Sequence, residues 1–187
     1  MRRSALALLG TMGLLALVLQ LKSQACADSD KVPALTELAG NYTYAGDRAK
    51  DEGAIKAKSD AATADMGRMV LKRARPALES STRVPERLII TRQGGNLTFK
   101  ADDHVVTVPE NGTAARVLTP LGESAEASFD VKTATLQQTV TATGGRKTNA
   151  FRFDEAGKLV MKVRITNGRL AAPVAFTLLY ARANQPR

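Results

Sequence analysis

From Arg83 onward, apolar and polar residues alternate in short segments that are separated by turn-forming residues. Alternation with a period of two predicts strands that bury one face. Glycine or asparagine in the intervening turns permits the positive φ angles that tight hairpins need. Nine strands are expected, at 87–93, 96–101, 104–108, 113–118, 122–130, 133–142, 146–153, 158–165 and 174–182.

The segment before Arg83 follows a different pattern. A first strand is expected at 38–45, where Tyr42 and Tyr44 alternate after Gly40. One or two short helices are expected at about 47–80, because apolar residues there recur at helical spacing and β-branched clusters are absent. Pro76 is expected to end the second helix.

One face of this helical insertion carries Met66, Met69 and Val70. Methionine side chains are flexible and adapt to varied apolar surfaces. These three residues therefore form a candidate lid over a binding site. The alternative is that they seat an ordinary helix against the wall of the domain.

Ten strands joined by short hairpins predict an all-β domain with a helical insertion, built as an up-and-down antiparallel β-barrel over 37–187. Closure of the sheet is favoured because it removes exposed strand edges. A barrel of about ten strands is wider than its own side chains can fill, so an internal cavity is expected.

The last two strands indicate which residues face that interior. Met161 belongs to an apolar row on 158–165, and Phe176 and Tyr180 belong to a second row on 174–182 that ends at Arg182. On 146–153, either Phe151 and Phe153 or the intervening Arg152 faces inward. An inward arginine would need an anionic partner. The candidate ligand-binding residues are Arg182, Tyr180, Arg164, Arg152, Phe176 and Met161.

The order of elements resembles that of the intracellular lipid-binding proteins, which are relatives of the lipocalins in the calycin superfamily. The opening Gly40-Asn41-Tyr42 is similar to the start of that superfamily's first strand, and three later segments are similar to its late hairpins. Those segments are Leu136-Gln137-Gln138, Gly144-Gly145-Arg146-Lys147-Thr148 and Lys158-Leu159-Val160.

This resemblance implies a helical lid over a barrel that holds a fatty acid or a similar molecule. The last strand in that family carries an Arg-x-Tyr pair that binds a ligand carboxylate. Here the order is reversed, as Tyr180-Ala181-Arg182. The resemblance thus implies an apolar or amphiphilic ligand and a role for Tyr180 and Arg182 at its polar end.

The N-terminus, 1–27, has the layout of a secretory signal peptide. Arg2 and Arg3 precede an apolar run, and Ala25 and Ala27 provide the small residues of a cleavage site. We expect cleavage after Ala27, a tether at 28–36, and a periplasmic or secreted protein. Lipidation of Cys26 is one alternative, and retention of the run as an uncut anchor is another.

Composition narrows the classes of partner. The 187-residue chain has 27 basic and 18 acidic residues, and a net charge of about +6 remains once the three basic residues of the leader are removed. An anionic membrane surface is a second candidate partner for such a domain. Nucleic acid is not expected, because the chain has no Trp and its basic residues are dispersed among acids.

The sequence contains no recognised catalytic motif. Cys26 is the only cysteine and lies in the leader, and His104 is the only histidine. His104 follows Asp102 and Asp103 in an expected turn, where neighbouring side chains point in different directions. No catalytic residue, metal site or cofactor is predicted.

The sequence therefore favours an exported, non-enzymatic barrel that binds an apolar or amphiphilic small molecule. An envelope interaction module with a filled barrel and a basic surface is the main alternative. A β-rich enzyme is a third, which would require a buried polar cluster in a cleft.

Overall fold

A computed structural model describes residues 35–132 and 135–183. The expected signal peptide, and the tether up to residue 34, lie outside the described residues. Within the described part of the chain, no helix combines the length and the apolar character needed to cross a membrane.

Ten strands and three helices make up the described domain, which confirms the expected all-β fold with helices after the first strand. The helices are α1 (Leu35–Leu38), α2 (Arg48–Ala62) and α3 (Arg68–Thr82). The strands are β1 (Gly40–Tyr44), β2 (Arg87–Gln93), β3 (Asn96–Ala101), β4 (His104–Pro109), β5 (Ala115–Leu118), β6 (Ser124–Lys132), β7 (Thr135–Ala142), β8 (Gly145–Phe153), β9 (Leu159–Asn167) and β10 (Val174–Arg182).

All ten strands belong to one antiparallel sheet in the order β4-β3-β2-β1-β10-β9-β8-β7-β6-β5. From β2 onward, consecutive strands are joined by short connections and pair with their chain neighbours, except for β4 and β5. The first strand pairs with the last, with Tyr42 opposite Arg182 and Tyr44 opposite Tyr180. The sheet forms a nearly closed barrel, in which only β4 and β5 have no ladder between them.

The strand boundaries agree with the sequence pattern to within two residues. Turn glycines account for much of this agreement. Gly95 and Gly144, in the β2–β3 and β7–β8 turns, have φ angles of 75° and 76°, which residues with a Cβ rarely adopt.

The short helix α1 was not expected. The pattern predicts Leu38 in the first strand, whereas Leu38 ends α1 and the strand begins at Gly40. The Leu38 side chain is fully buried, and its carbonyl accepts a hydrogen bond of 2.8 Å from the Tyr42 hydroxyl. Burial of the Leu38 side chain and the hydrogen bond to its carbonyl thus stabilise a helical turn directly before the first strand.

The barrel has two distinct ends. At the helix end, β1 stops, α2 and α3 follow, and β2 and β4 begin. The opposite end, called the base here, carries the β2–β3 turn and the β4–β5 connection. Most buried residues lie on the inner face of the strands between these two ends.

The two long helices are attached to the barrel very differently. Asp47 caps α2 by accepting a 3.1 Å hydrogen bond from the Lys50 amide, and α2 buries Ile55 and Ala62. The α2 segment also bonds to the β10 side, where Lys58 Nζ donates to the Ala175 carbonyl at 2.8 Å. By contrast, α3 buries no residue completely.

Candidate functional site

One wall of the barrel interior, formed by β9 and β10, is apolar along its whole length. The inner row of β9 is buried, with Met161 3 % exposed. The inner row of β10 is buried at Leu178 and Tyr180, and Phe176 packs against the core. These rows are the ones that the alternation of residues predicted for 158–165 and 174–182.

The wall formed by β7 and β8 differs because polar side chains interrupt its inner row. Gln138 on β7 and Asn149 on β8 lie directly opposite each other in the ladder. Asn149 Nδ2 donates a 2.7 Å hydrogen bond to Gln138 Oε1. Both side chains are buried, with 1 % and 5 % of their surface exposed.

Lys147 continues the polar row toward the helix end, two residues before Asn149 on β8. Its Nζ donates a 2.8 Å hydrogen bond to the carbonyl of Ser81 in the last turn of α3. Burial lowers the pKa of Lys147 to about 8, because a charged amine is costly away from water. The amine therefore attaches the end of α3 to the inside of the barrel.

His104 begins β4 on the same face as the buried Val106 and Val108. Burial lowers its pKa, and the positive charge of Lys147 lowers it further. The neighbouring Asp102 accepts hydrogen bonds of 3.0 Å from the amides of Glu86 and Arg87, which fixes the turn. Among the described residues, no three His, Cys, Asp or Glu side chains are grouped to hold a metal ion.

A cavity of about 240 Å³ lies near the base, between the β4–β5 connection and the β6–β7 hairpin. Its apolar lining comes from Leu97, Phe129 and Leu136, which belong to the buried core. Glu110, Asn111, Gly112 and Asp130 add polar groups at its edge. Phe151, which faces Leu136 in the ladder, meets Phe99 with ring centres 5.3 Å apart, so two aromatic side chains are in contact beside the cavity lining.

Tyr180 and Arg182, the expected carboxylate-binding pair, are held by two different backbone segments. The Tyr180 hydroxyl donates to the Pro85 carbonyl at 3.2 Å. Burial raises the pKa of Tyr180 well above its usual value, so the phenol stays protonated. The exposed Arg182 guanidinium donates to the Glu37 and Ala39 carbonyls at 2.6 and 3.1 Å. Its partners in the structure thus lie at the entry to β1.

The other two candidate arginines, Arg152 and Arg164, are exposed. Each alternates with buried inner-row residues, Phe151 in one case and Val163 and Ile165 in the other. The structure therefore places Phe151 inside the barrel and Arg152 outside it, which resolves the alternative that the sequence left open. The reason is that a strand directs successive side chains to opposite faces.

The three residues of the candidate lid do not share one buried face. Met69 is 69 % exposed and Val70 is 36 % exposed, whereas Met66, between the helices, is partly buried. The α3 residue that packs against the core is Leu78. Helical spacing identified an apolar stripe, but attachment of α3 through Ser81 and Leu78 fixes which side meets the barrel.

Sequence reasoning missed Gln138, Asn149 and Lys147 as interior groups. A signal was available, because Gln138 stands between Leu136 and Val140 at a period of two, and Asn149 precedes Phe151 in the same way. A polar residue in an apolar inner row indicates a buried polar contact.

Two comparisons, with protein-family models and with curated proteins, give no match for this sequence. Solved structures do resemble the chain. The fatty acid transporter REP1-NXSQ has a TM-score of 0.50 at 15 % identity, covering 81 % of this chain and 99 % of its own. Lipid binding protein 8 of Caenorhabditis elegans has a TM-score of 0.50 at 9 % identity, covering 80 % and 98 %.

The fluorescent protein UnaG gives the same TM-score of 0.50 at 14 % identity, covering 80 % of this chain and 100 % of its own. At such identities the likeness concerns the fold alone. Together with the ten-stranded barrel and its helices after β1, it shows that this chain has the lipocalin-like, calycin-type fold that the order of its elements predicted.

Proposed function

We propose that this domain binds an apolar or amphiphilic small molecule, of the lipid or fatty acid type, inside its barrel. The observation that carries the proposal is the cavity of about 240 Å³, which opens onto the buried side chains of Leu97, Phe129 and Leu136. Small-molecule sites are typically apolar hollows with a few placed polar groups. The fold shared with a fatty acid transporter and a lipid binding protein supports the same class of ligand.

The proposed role is non-enzymatic. The polar groups of the interior include two amides, a lysine amine bonded to a backbone carbonyl, and a tyrosine hydroxyl bonded to another. Catalysis by proton transfer needs a titratable group in reach of a reacting atom. These contacts suit the binding of a ligand better than the transformation of one.

Filling the cavity tests this proposal. The variant Leu136→Phe adds volume at the cavity lining and should lower the affinity for a fluorescent fatty acid analogue about tenfold, an estimate based on the cost of overpacking. The matched control is Leu118→Phe, the same change at a residue that is 62 % exposed, which should leave affinity unchanged. Absence of uptake by the wild-type protein would contradict the proposal.

We further propose that the domain acts outside the cytoplasm, after removal of 1–27. The support is the sequence pattern alone, with Ala25 and Ala27 at the small-residue positions of the cleavage site. The intact mass of the protein purified from cells that express the full chain tests this. A first residue of Asp28 would support cleavage, a lipid adduct on Cys26 would support the lipoprotein alternative, and an intact leader would contradict both.

A second candidate function, docking to an anionic membrane surface, is favoured by α3. This helix exposes Met69 and Val70 and carries Arg68, Lys72, Arg73 and Arg75. Basic and apolar groups on one exposed helix suit a surface of anionic lipid. In this alternative the protein is an interaction module whose barrel is filled by its own side chains. It would bind the membrane through α3 and would take up no ligand.

Vesicle sedimentation separates the two functions. Binding to phosphatidylglycerol vesicles should weaken as salt rises and should fall further in the variant Arg73→Glu. The control variant Arg116→Glu makes the same charge change at an exposed residue of β5. Equal losses in both variants would indicate a general charge effect and would contradict docking through α3.

A further inference from the structure

The amide pair inside the barrel has two polar atoms that no described residue satisfies. Asn149 Nδ2 and Gln138 Oε1 are joined by their 2.7 Å hydrogen bond, but Gln138 Nε2 and Asn149 Oδ1 are buried without a partner. Nearly all buried polar groups in proteins are hydrogen-bonded. One unused donor and one unused acceptor therefore lie on neighbouring strands at the same level of the barrel.

Gln138, which carries the unused donor, is next to two residues of the cavity lining in the sheet. Phe129, which lines the cavity, lies directly opposite Gln138 in the β6–β7 ladder. Leu136, also in the lining, precedes Gln138 on the inner row of β7, about 7 Å away at the rise of an antiparallel strand. A molecule with its apolar part in the cavity would thus have the amide pair about 7 Å away, one inner-row position along β7.

The chemistry of the pair selects the kind of group that fits it. Gln138 Nε2 can only donate, and Asn149 Oδ1 can only accept. A primary amide, an alcohol or an un-ionised carboxylic acid supplies the matching acceptor and donor together. A carboxylate has no donor to offer and would place its negative charge against Asn149 Oδ1.

The candidate cations do not favour a carboxylate beside Gln138 and Asn149. Arg152 and Arg164 are exposed, and Arg182 donates to backbone carbonyls beside β1. The amine of Lys147, the next inner residue of β8, donates to the Ser81 carbonyl at the helix end. These four cations are therefore either exposed or bonded to backbone carbonyls, and none is hydrogen-bonded to the pair.

We propose that Gln138 and Asn149 bind the uncharged polar end of an amphiphilic ligand, one that carries a hydrogen-bond donor and an acceptor side by side. This inference rests on the proposed function, because it assumes that the ligand enters the barrel. It adds the ligand class, which the fold does not specify.

Three probes of equal chain length test the proposal by calorimetry at pH 7.4. Decanamide offers both a donor and an acceptor, methyl decanoate offers only acceptors, and decanoate carries a charge. The wild-type protein should bind decanamide about tenfold more tightly than either of the others, since each of these leaves a buried polar atom unpaired. The double variant Gln138→Leu/Asn149→Leu should bind decanamide and methyl decanoate within about twofold of each other.

Controls are available on the same strand. The variant Gln137→Leu removes an amide from the outer face of β7 and should keep the preference for decanamide. Retained binding of methyl decanoate by the double variant shows that it still folds and still takes up ligands. The side-chain amide NMR signals of Gln138 and Asn149 should shift when decanamide binds to the wild-type protein.

The outcomes separate the two proposals. If the wild-type protein binds all three probes alike, or decanoate most tightly, the barrel takes up lipids but this inference is overturned. Unchanged amide signals at saturation would overturn it as well. If none of the three probes binds, the proposed function fails, and the inference fails with it.

Discussion

Two adjoining walls of this barrel differ in the residues of their inner rows, although both are built from regular antiparallel hairpins. The β9–β10 wall presents an unbroken apolar row, in which Leu178 is 1 % exposed. The β7–β8 wall places Gln138, Asn149 and Lys147 among apolar neighbours. The first wall contributes mainly to stability, and the second carries groups whose burial is costly without a binding partner.

The largest expected effect comes from the apolar wall. The variant Leu178→Ala removes a fully buried side chain and should lower the free energy of unfolding by about 2–5 kcal/mol, because it also leaves a cavity. Thr177→Ala, an exposed position on the same strand, should change it by less than about 0.5 kcal/mol. Urea denaturation measures both, and equal effects would contradict the assignment of the inner row.

On the β7–β8 wall, the effects of replacing Gln138 and Asn149 should be strongly non-additive. Replacing Gln138 or Asn149 alone by Leu leaves the remaining amide without its 2.7 Å partner. Replacing both removes all the buried polar atoms of the pair. We therefore expect the two single changes together to cost about 1–3 kcal/mol more than the double change. Additive effects in a double-mutant cycle would show that the side chains do not interact.

Lys147 makes the polar wall sensitive to pH. Its pKa of about 8 in the folded protein lies below the ordinary 10.5, so between these values the unfolded chain binds more protons. The free energy of unfolding should then rise with pH from about 8 to 10, by at most about 1.4 kcal/mol per pH unit for one proton. Below pH 8 this group adds no pH dependence.

The variant Lys147→Met should flatten this rise, whereas Lys162→Met, at an exposed residue of β9, should leave it in place. Chemical denaturation at a series of pH values provides the measurement. A rise that persists in the Lys147 variant would mean that another group causes it.

The smallest effects are expected on the outer surface. Arg152→Gln and Arg164→Gln should each change the free energy of unfolding by less than about 0.5 kcal/mol, since both side chains are exposed. Each should also change the affinity for decanoate by less than about twofold. A much larger loss of affinity in either variant would show that the arginine reaches a ligand.

Most of the architecture followed from the local pattern of residues. Alternation identified the strands, and turn glycines such as Gly95 and Gly144 marked the hairpins, because these features depend on neighbours in the chain. The apolar rows of β9 and β10 followed in the same way. The all-β class needed no long-range information either. The end of the second helix was predicted wrongly, because α3 continues through Pro76 to Thr82, where Leu78 packs against the core.

The candidate site was less predictable, because its contacts join distant segments. Arg182 meets the carbonyl of Glu37, Lys147 meets that of Ser81, and Tyr180 meets that of Pro85. Spacing along the chain assigned Tyr180 and Arg182 to a ligand and Met69 to a lid. In the structure Tyr180 and Arg182 donate to backbone carbonyls, and Met69 is 69 % exposed.

By itself, the sequence determined the number of strands, the order of the elements and the face of most strands, since a two-residue period needs only local information. Tertiary structure alone decided that β1 pairs with β10, and that Gln138 and Asn149 are enclosed with one donor and one acceptor unused. The physical reason is that periodicity fixes which face a side chain occupies, whereas burial and pairing depend on what closure of the sheet brings opposite it.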